Sequence, residues 1–237
     1  MKKVAIIDSG SGGINVLAKC MEKCPCFNYL LYIDDKNVPY GNKSKDELLR
    51  IAKNIILDLD SFFHPNIVVI GCNTLTSVAI DFLKEEFPKI KFIGTYPNIE
   101  EAKKLEKYIV LATKVTIENS PLLCEIQRKC FYPPDLPKVI DENLFSREKI
   151  KKYLQNTLPK EDYKAVVLGC THFEGIKLEL AEIYPSAQFF DASDRVTKEL
   201  SRYAYGSSCQ VQIISSREMF AEFYNYFSSI KSPSSSL

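Results

Sequence analysis

Two cysteines stand in matching surroundings about a hundred positions apart. One closes Val68-Val69-Ile70-Gly71-Cys72 and is followed by Asn73-Thr74; the other closes Val166-Val167-Leu168-Gly169-Cys170 and is followed by Thr171-His172. Each is a β-branched apolar run, a glycine, a cysteine, and then hydroxyl or amide residues that open a helical pattern. Such a run predicts a buried strand that hands its cysteine to the C-terminal edge of a sheet, where open α/β sheets bind ligands. Cysteine is also a common small buried hydrophobe, and for either residue alone that plain reading is equally good. The repeat of context points instead to two similar units, each offering one thiol to a shared cleft.

Two thiols facing one another suit a particular chemistry. One thiolate takes a proton from a carbon, and the other thiol delivers a proton to the opposite face, so the product is the mirror image. A reference pKa of about 8.5 keeps both forms of cysteine accessible near neutral pH. A helix N-terminus behind each sulfur would favour the thiolate, and exclusion of water would strengthen the electrostatics. Asp8 near one thiol and His172 near the other are candidates to move protons or orient the sulfurs. Redox chemistry is a rival use that normally takes a CxxC on one helix end; here it would predict a Cys72–Cys170 disulfide. A direct Cys170–His172 nucleophilic pair is disfavoured by their spacing, because side chains so close alternate in direction.

The elements that must position these residues alternate between strand and helix along the whole chain. Strands are expected at Lys3–Ile7, Tyr29–Ile33, the run to Gly71, Lys91–Gly94, Tyr108–Ala112, Lys138–Ile140, Lys164–Gly169, Gln188–Phe190 and Val211–Ile214. Helices are expected from Ile14, from Ser44 to Phe63, from Asn73 to Phe87, from Thr113 through Arg128, to Leu158, from Gly175 to Tyr184, from Asp191 to Tyr203 and from Ser216 to Ser229. Ser44 and Glu47 make a capping box. His64-Pro65 ends that helix, leaving His64 as a solvated helix-end residue. The turn Asp8-Ser9-Gly10-Ser11-Gly12-Gly13 lies between a strand and a helix, an arrangement that cradles anions, but it matches neither the dinucleotide fingerprint nor a P-loop. Asp8 there either caps the turn or faces the cleft. The class is therefore α/β, with two similar domains, mostly parallel sheets and a cleft between them. The expected division is 1–96 plus 205–237 for the first domain and 97–204 for the second, with Thr95-Tyr96-Pro97-Asn98 as the linker.

The totals fit that reading. The chain has 237 residues, with 31 Lys plus Arg against 30 Asp plus Glu, a net charge of +1. This balance argues for neither a nucleic-acid nor a membrane surface, and no apolar run approaches the ~20 residues of a spanning helix. With no signal segment at the start, a soluble cytoplasmic protein is expected. Eight cysteines in a chain of this length do not make a small secreted framework. Cys20, Cys24 and Cys26 cluster near the end of the first helix; without a partner pair they read as reduced thiols rather than a metal site. Cys124, Cys130 and Cys209 carry no motif.

Taken together, the motifs resemble the glutamate racemases of the aspartate/glutamate racemase superfamily. The residues that carry the resemblance are Asp8-Ser9-Gly10 through Gly13 with Val16-Leu17, Val38-Pro39-Tyr40-Gly41 with Lys43-Ser44, Cys72-Asn73-Thr74, and Leu168-Gly169-Cys170-Thr171-His172-Phe173. They occur in family order and span most of the chain. The resemblance implies a cofactor-independent, metal-free, two-base interconversion of L- and D-glutamate, with D-glutamate supplied to peptidoglycan synthesis. It implies Cys72 as the base toward D-glutamate and Cys170 as the base toward L-glutamate, assisted by Asp8 and His172. Ser9, Pro39, Tyr40, Gly41, Asn73, Thr74 and Thr171 would hold the small-molecule substrate, which needs several neutral donors for its amino and carboxylate groups. Helix capping is the plain alternative for Asn73 and Thr74. The resemblance also implies a homodimer and a C-terminal segment that returns to the first domain. Aspartate racemase, and an amino-acid-binding relative without turnover, are the competing expectations.

The chain departs from the family pattern at Leu75, at Glu174-Gly175 after the second motif where proline is usual, and at Gly94-Thr95-Tyr96-Pro97. The family's acidic residue in the second domain maps onto Asp141 or Glu142. Glu174, so near Cys170, either repels a substrate carboxylate or points to solvent.

Overall fold

The computed structural model describes residues 2–206 and 210–215, with Glu222 and Asn225 beyond them. In chain order the first elements are β1 (Lys3–Asp8), α1 (Gly12–Lys23), β2 (Asn28–Ile33), α2 (Lys45–Phe62), β3 (Ile67–Ile70), α3 (Asn73–Glu86) and β4 (Lys91–Gly94). Next come α4 (Ile99–Ala102), β5 (Tyr108–Ala112), α5 (Lys114–Asn119), α6 (Pro121–Cys124), β6 (Cys130–Phe131), α7 (Leu136–Glu142) and α8 (Arg147–Thr157). The remaining elements are β7 (Ala165–Gly169), α9 (Thr171–Glu174), α10 (Lys177–Ile183), β8 (Gln188–Phe190), α11 (Ser193–Leu200) and β9 (Gln210–Ile214). The strands form two sheets, in the orders β4-β3-β1-β2-β9 and β6-β5-β7-β8, and every pairing among the described residues is parallel. The fold is thus α/β with two parallel sheets. β9 returns to the first sheet beside β2.

Alternation along the strands divides the core. Val4 and Ile6 of β1 face one apolar cluster while Ala5 and Ile7 face another. In β7, Val166 and Leu168 turn one way, Ala165 and Val167 the other. The cluster that receives Val4 and Ile6 is the same one that receives Val166 and Leu168, with α1 residues Ile14, Val16 and Leu17 between them. One continuous apolar core therefore joins the inner faces of both sheets through α1. The uninterrupted apolar sequences of β1, β3 and β7 follow from burial on both faces.

Ser44 and Glu47 make the expected capping box on α2. Past its end, His64 adopts a left-handed backbone, and its largely exposed ring lies 4.0 Å from Asp60 Oδ1. Three expectations for the second half are corrected and one strand is added. The helix expected through Arg128 breaks at Ser120, because Pro121 has no N–H to continue it and instead opens α6. The segment Lys138-Val139-Ile140 is helix, not strand: Pro137 sits in the first turn of α7, where its missing N–H costs nothing, and Leu136 and Ile140 share the buried face. The strand β6 at Cys130–Phe131 carried no signal in the sequence. The helix expected from Gly175 begins earlier, as the short α9, and resumes as α10. The helix expected over 216–229 and the serine-rich tail lie outside the described residues, save for helical positions at Glu222 and Asn225.

Candidate active site

Both cysteines leave their strands in extended backbone and occupy the N-cap position of the helix that follows. Cys72, at φ −109° and ψ 120°, precedes α3, and Cys170, at φ −149° and ψ 133°, precedes α9. The two sheets deliver them into one cavity of about 430 Å³. Ser9, Pro39, Tyr40, Gly41, Thr74 and His172 line it too. Both sulfurs are free thiols, and both residues are buried.

Around Cys72 the groups are mostly neutral. Backbone N–H groups of Thr74 and Leu75 point at its sulfur and favour negative charge there, but burial, and next the Asp8 carboxyl, push the thiol well above its ordinary pKa. The helix N-terminus favours the thiolate, as expected from the sequence, and burial outweighs it. Thr74 Oγ1 lies 2.8 Å from Thr113 Oγ1 and 3.3 Å from Thr116 Oγ1. Thr113 is the N-cap of α5 and lines the cavity from the second sheet's side.

Around Cys170 the groups are charged. His172 Nδ1 lies 3.7 Å from Cys170 Sγ, and His172 Nε2 lies 3.2 Å from Asp141 Oδ2. Burial alone would strip the imidazole of its proton; the Asp141 carboxylate overrides it and holds the pKa well above the usual histidine range. This corrects the expectation that the Cys170–His172 geometry is poor. Alternation applies within a strand, whereas here the chain turns from strand to helix at Cys170, which brings the two side chains to one side.

The glycine-rich turn after β1 does cradle an anion, and the anion is the protein's own. Ser11 N and Ser11 Oγ donate to Asp141 Oδ1 at 3.1 and 2.5 Å. Gly10 N donates to Asp8 Oδ1 at 3.0 Å. The glycines permit this approach: a Cβ on Gly10 would overlap Asp141 Oδ2 and His172 Nε2, and one on Gly12 would overlap Thr171 Oγ1. Asp8 both caps the turn and reaches across, accepting from Thr171 Oγ1 at 3.0 Å through Oδ2. Burial raises its pKa to about 6, against the lowering pull of His172, Gly10 N–H and Thr171.

Three of the expected site residues do not line the cavity: Asp8, Asn73 and Thr171. Asp8 and Thr171 bond to one another behind it. Asn73 is buried, with Nδ2 donating to Thr95 O at 3.2 Å. Sequence reasoning missed Thr113 and Asp34. Asp34 accepts from Tyr40 Oη at 2.6 Å and from Asn37 Nδ2 at 2.9 Å, and so fixes the Tyr40 ring at the cavity wall. Of the two acidic candidates in the second domain, Asp141 is the one that meets His172. The left-handed backbone of Asp135 starts the helix that carries it. Glu174 neither faces the cavity nor points to solvent; its carboxyl turns to the far side of α9 and accepts from Ser193 Oγ at 2.5 Å. Among the described residues no group of three metal-ligating side chains comes together, and no helix is long and apolar enough to cross a membrane.

No family model matches the chain. Comparison with curated proteins is decisive. The chain is 35% identical over 217 residues to a glutamate racemase of Clostridium acetobutylicum, covering 84% of this chain and 82% of that relative. Among solved structures, a glutamate racemase isoform from Bacillus anthracis superposes with a TM-score of 0.83 at 21% identity, covering 96% of this chain and 94% of its own. The Escherichia coli glutamate racemase, solved with L-glutamate and the activator UDP-MurNAc-ala, superposes with a TM-score of 0.76 at 22% identity, covering 97% and 94%. Those structures share the fold; the identity to the curated relative, sustained over most of both chains, shows that this chain belongs to the glutamate racemase family.

Proposed function

We propose that the chain interconverts L- and D-glutamate by two-base proton transfer between Cys72 and Cys170. The observation that carries this is the delivery of one thiol from each sheet into a single cavity. In one direction Cys170, as thiolate, takes the α-proton of L-glutamate while Cys72, as thiol, protonates the opposite face of the carbanion. The bond lost from carbon to hydrogen is regained on the other side, and the two cysteines end with exchanged protonation. In the other direction the roles reverse.

The asymmetric surroundings divide the work. Burial and the Asp8 carboxyl favour the protonated form of Cys72, the state needed to protonate an intermediate derived from L-glutamate. His172, cationic beside Cys170, can donate to the sulfur when that sulfur has lost its proton. Asp141 keeps His172 charged, and Asp8 holds the Thr171 end of the same turn. The hydroxyls of Ser9, Thr74 and Thr113, with backbone N–H groups, offer neutral donors for substrate carboxylates without neutralising the site. Removing one base from such a pair costs on the order of 10²–10⁴ in rate.

The reading is tested by proton NMR of L-glutamate in heavy water, with the parent chain, Cys72→Ser and Cys170→Ser. The expected result is loss of the α-proton signal with appearance of D-glutamate in the parent, and loss of turnover by at least about 10²-fold in each variant. Aspartate run alongside separates the two amino acids. Folded, reduced parent protein that exchanges the α-proton of neither enantiomer would rule glutamate racemisation out. The supply of D-glutamate for peptidoglycan, a cytoplasmic location and a homodimer belong to the same proposal, the last checked by light scattering of the full chain.

A further inference from the structure

Behind the Cys170 turn lies a group of charges that proton transfer does not use. Glu174 ends α9, the four-residue helix whose N-cap is Cys170. The residue keeps some exposed surface, yet its Oε1 is sealed from solvent and has no hydrogen-bond partner among the described residues. Ser193 Oγ, on α11, donates to Oε2 at 2.5 Å. Lys19 and Cys20 of α1, Lys177 of α10 and Asp191 after β8 are the other titratable groups that act on it. Lys19 Nζ donates to Asp191 Oδ1 at 3.0 Å and pairs with Asp194 Oδ1 at 2.5 Å, while Lys177 also pairs with Asp191. One turn back on α1, Asn15 Nδ2 donates to Thr171 O at 3.0 Å.

α1 belongs to the first sheet's side and α9 to the second's. α1 therefore grips α9 at both ends: directly at Thr171, and at Glu174 through Ser193, Asp191 and Lys19. A helix of four residues has no stability of its own and takes its position from such contacts.

We propose that Glu174 is a positioning residue for Cys170, acting through the docking of α9 on α1. The inference rests on the racemase reading above. The electrostatics agree with the geometry. Burial first, and the neighbouring Asp191 carboxylate second, push the Glu174 pKa to about 8, against the lowering effect of Ser193, Lys177 and Lys19. Asp191, held by the two lysines, keeps its charge. Near pH 7 Glu174 is uncharged and fits its sealed site. Above about 8 a second carboxylate forms beside Asp191 and drives the end of α9 outward.

The test compares the parent with Glu174→Gln, which cannot ionise, and with Lys19→Met, which removes the α1 cation that pairs with Asp191. Turnover of both enantiomers is measured from pH 7 to 9.5, each protein normalised to its own value at pH 7, with α-protonated and α-deuterated substrates. In parallel, alkylation of Cys170 relative to Cys72 by iodoacetamide is mapped by mass spectrometry, a readout that needs no turnover. Because Cys170 takes the proton of L-glutamate, misplacing it makes that step slower in both directions. In the parent the primary isotope effect should therefore grow with α-deuterated L-glutamate and shrink with the D-form as pH rises. The Cys170-to-Cys72 alkylation ratio should rise at least about threefold beyond the rise in Glu174→Gln. Lys19→Met should show the same shifts already at pH 7. Overlapping isotope and alkylation profiles in the parent and Glu174→Gln would overturn the inference. Absent turnover with a pH-dependent alkylation ratio would fault the racemase reading and leave the docking role standing.

Discussion

Cys72 and Cys170 end equivalent strands and cap the helices that follow, but they are held by different physics. α3, behind Cys72, has 14 residues, whereas α9, behind Cys170, has 4. Cys72 is fixed mainly by its own half, through a full helix packed by Leu75, Ala79, Ile80 and Leu83 onto the first sheet, to which Thr74 adds hydroxyl contacts with Thr113 and Thr116 across the boundary. Cys170 is fixed by polar contacts across the boundary between the halves. Asn15, Ser11, Asp8 and Lys19, all from the first half, reach Thr171, Asp141 and Asp191. Near Cys72 the polar groups other than Asp8 include threonine hydroxyls, the Tyr40 phenol and backbone N–H; near Cys170 they include an imidazolium and its carboxylate. A similar strand-end geometry thus places one thiol among neutral donors and the other beside a buried ion pair.

The comparison can be broken most forcefully at that ion pair. Asp141→Asn removes the charge that keeps His172 protonated, and turnover should fall on the order of 10²-fold. The loss should be one-sided, with a larger primary isotope effect for α-deuterated L-glutamate than for the D-form; equal effects would mean that both thiols depend on Asp141. Gly10→Ala should rank next. The added methyl overlaps Asp141 and His172, which costs about 1–3 kcal/mol of overpacking and lowers Tm by roughly 2–12 °C. Scanning calorimetry checks the stability, and a matching rise in KM would show that the approach of the two halves was disturbed. Thr113→Val should do least. It deletes one neutral hydroxyl on the Cys72 side and should lower kcat/KM by about 3- to 10-fold, the worth of one neutral hydrogen bond. A Thr113→Val loss larger than that of Asp141→Asn would reverse the ranking of the two halves.

The first half was largely legible in the sequence because its elements are long and locally coded. β1 through β4 and α2 with its capping box appear within a residue or two of where apolar runs and caps place them. The second half was less so. Pro137 reads as a breaker whether it ends an element or starts one, and only the burial of Leu136 and Ile140 decides for helix. Asp141 could not be told from Glu142, because what distinguishes it is its distance from His172 and Ser11, residues 31 and 130 positions away. Glu174 lay beside the second motif, which invited a reading in terms of the substrate; its carboxyl in fact belongs to a cluster on the opposite side of the helix.

Residue types and order alone determined the two cysteine turns, the α/β alternation and the glycine-rich turn, since these rest on short-range patterns of burial and backbone freedom. Tertiary structure decided which charges meet. It set the Asp141–His172–Cys170 line, turned the glycine-rich loop toward an internal carboxylate, withdrew Asp8 and Thr171 behind the cavity and tied α9 to α1. Those outcomes depend on electrostatics and hydrogen bonds between segments far apart in sequence. Such contacts form only after two sheets have packed on one core, and no local pattern encodes them.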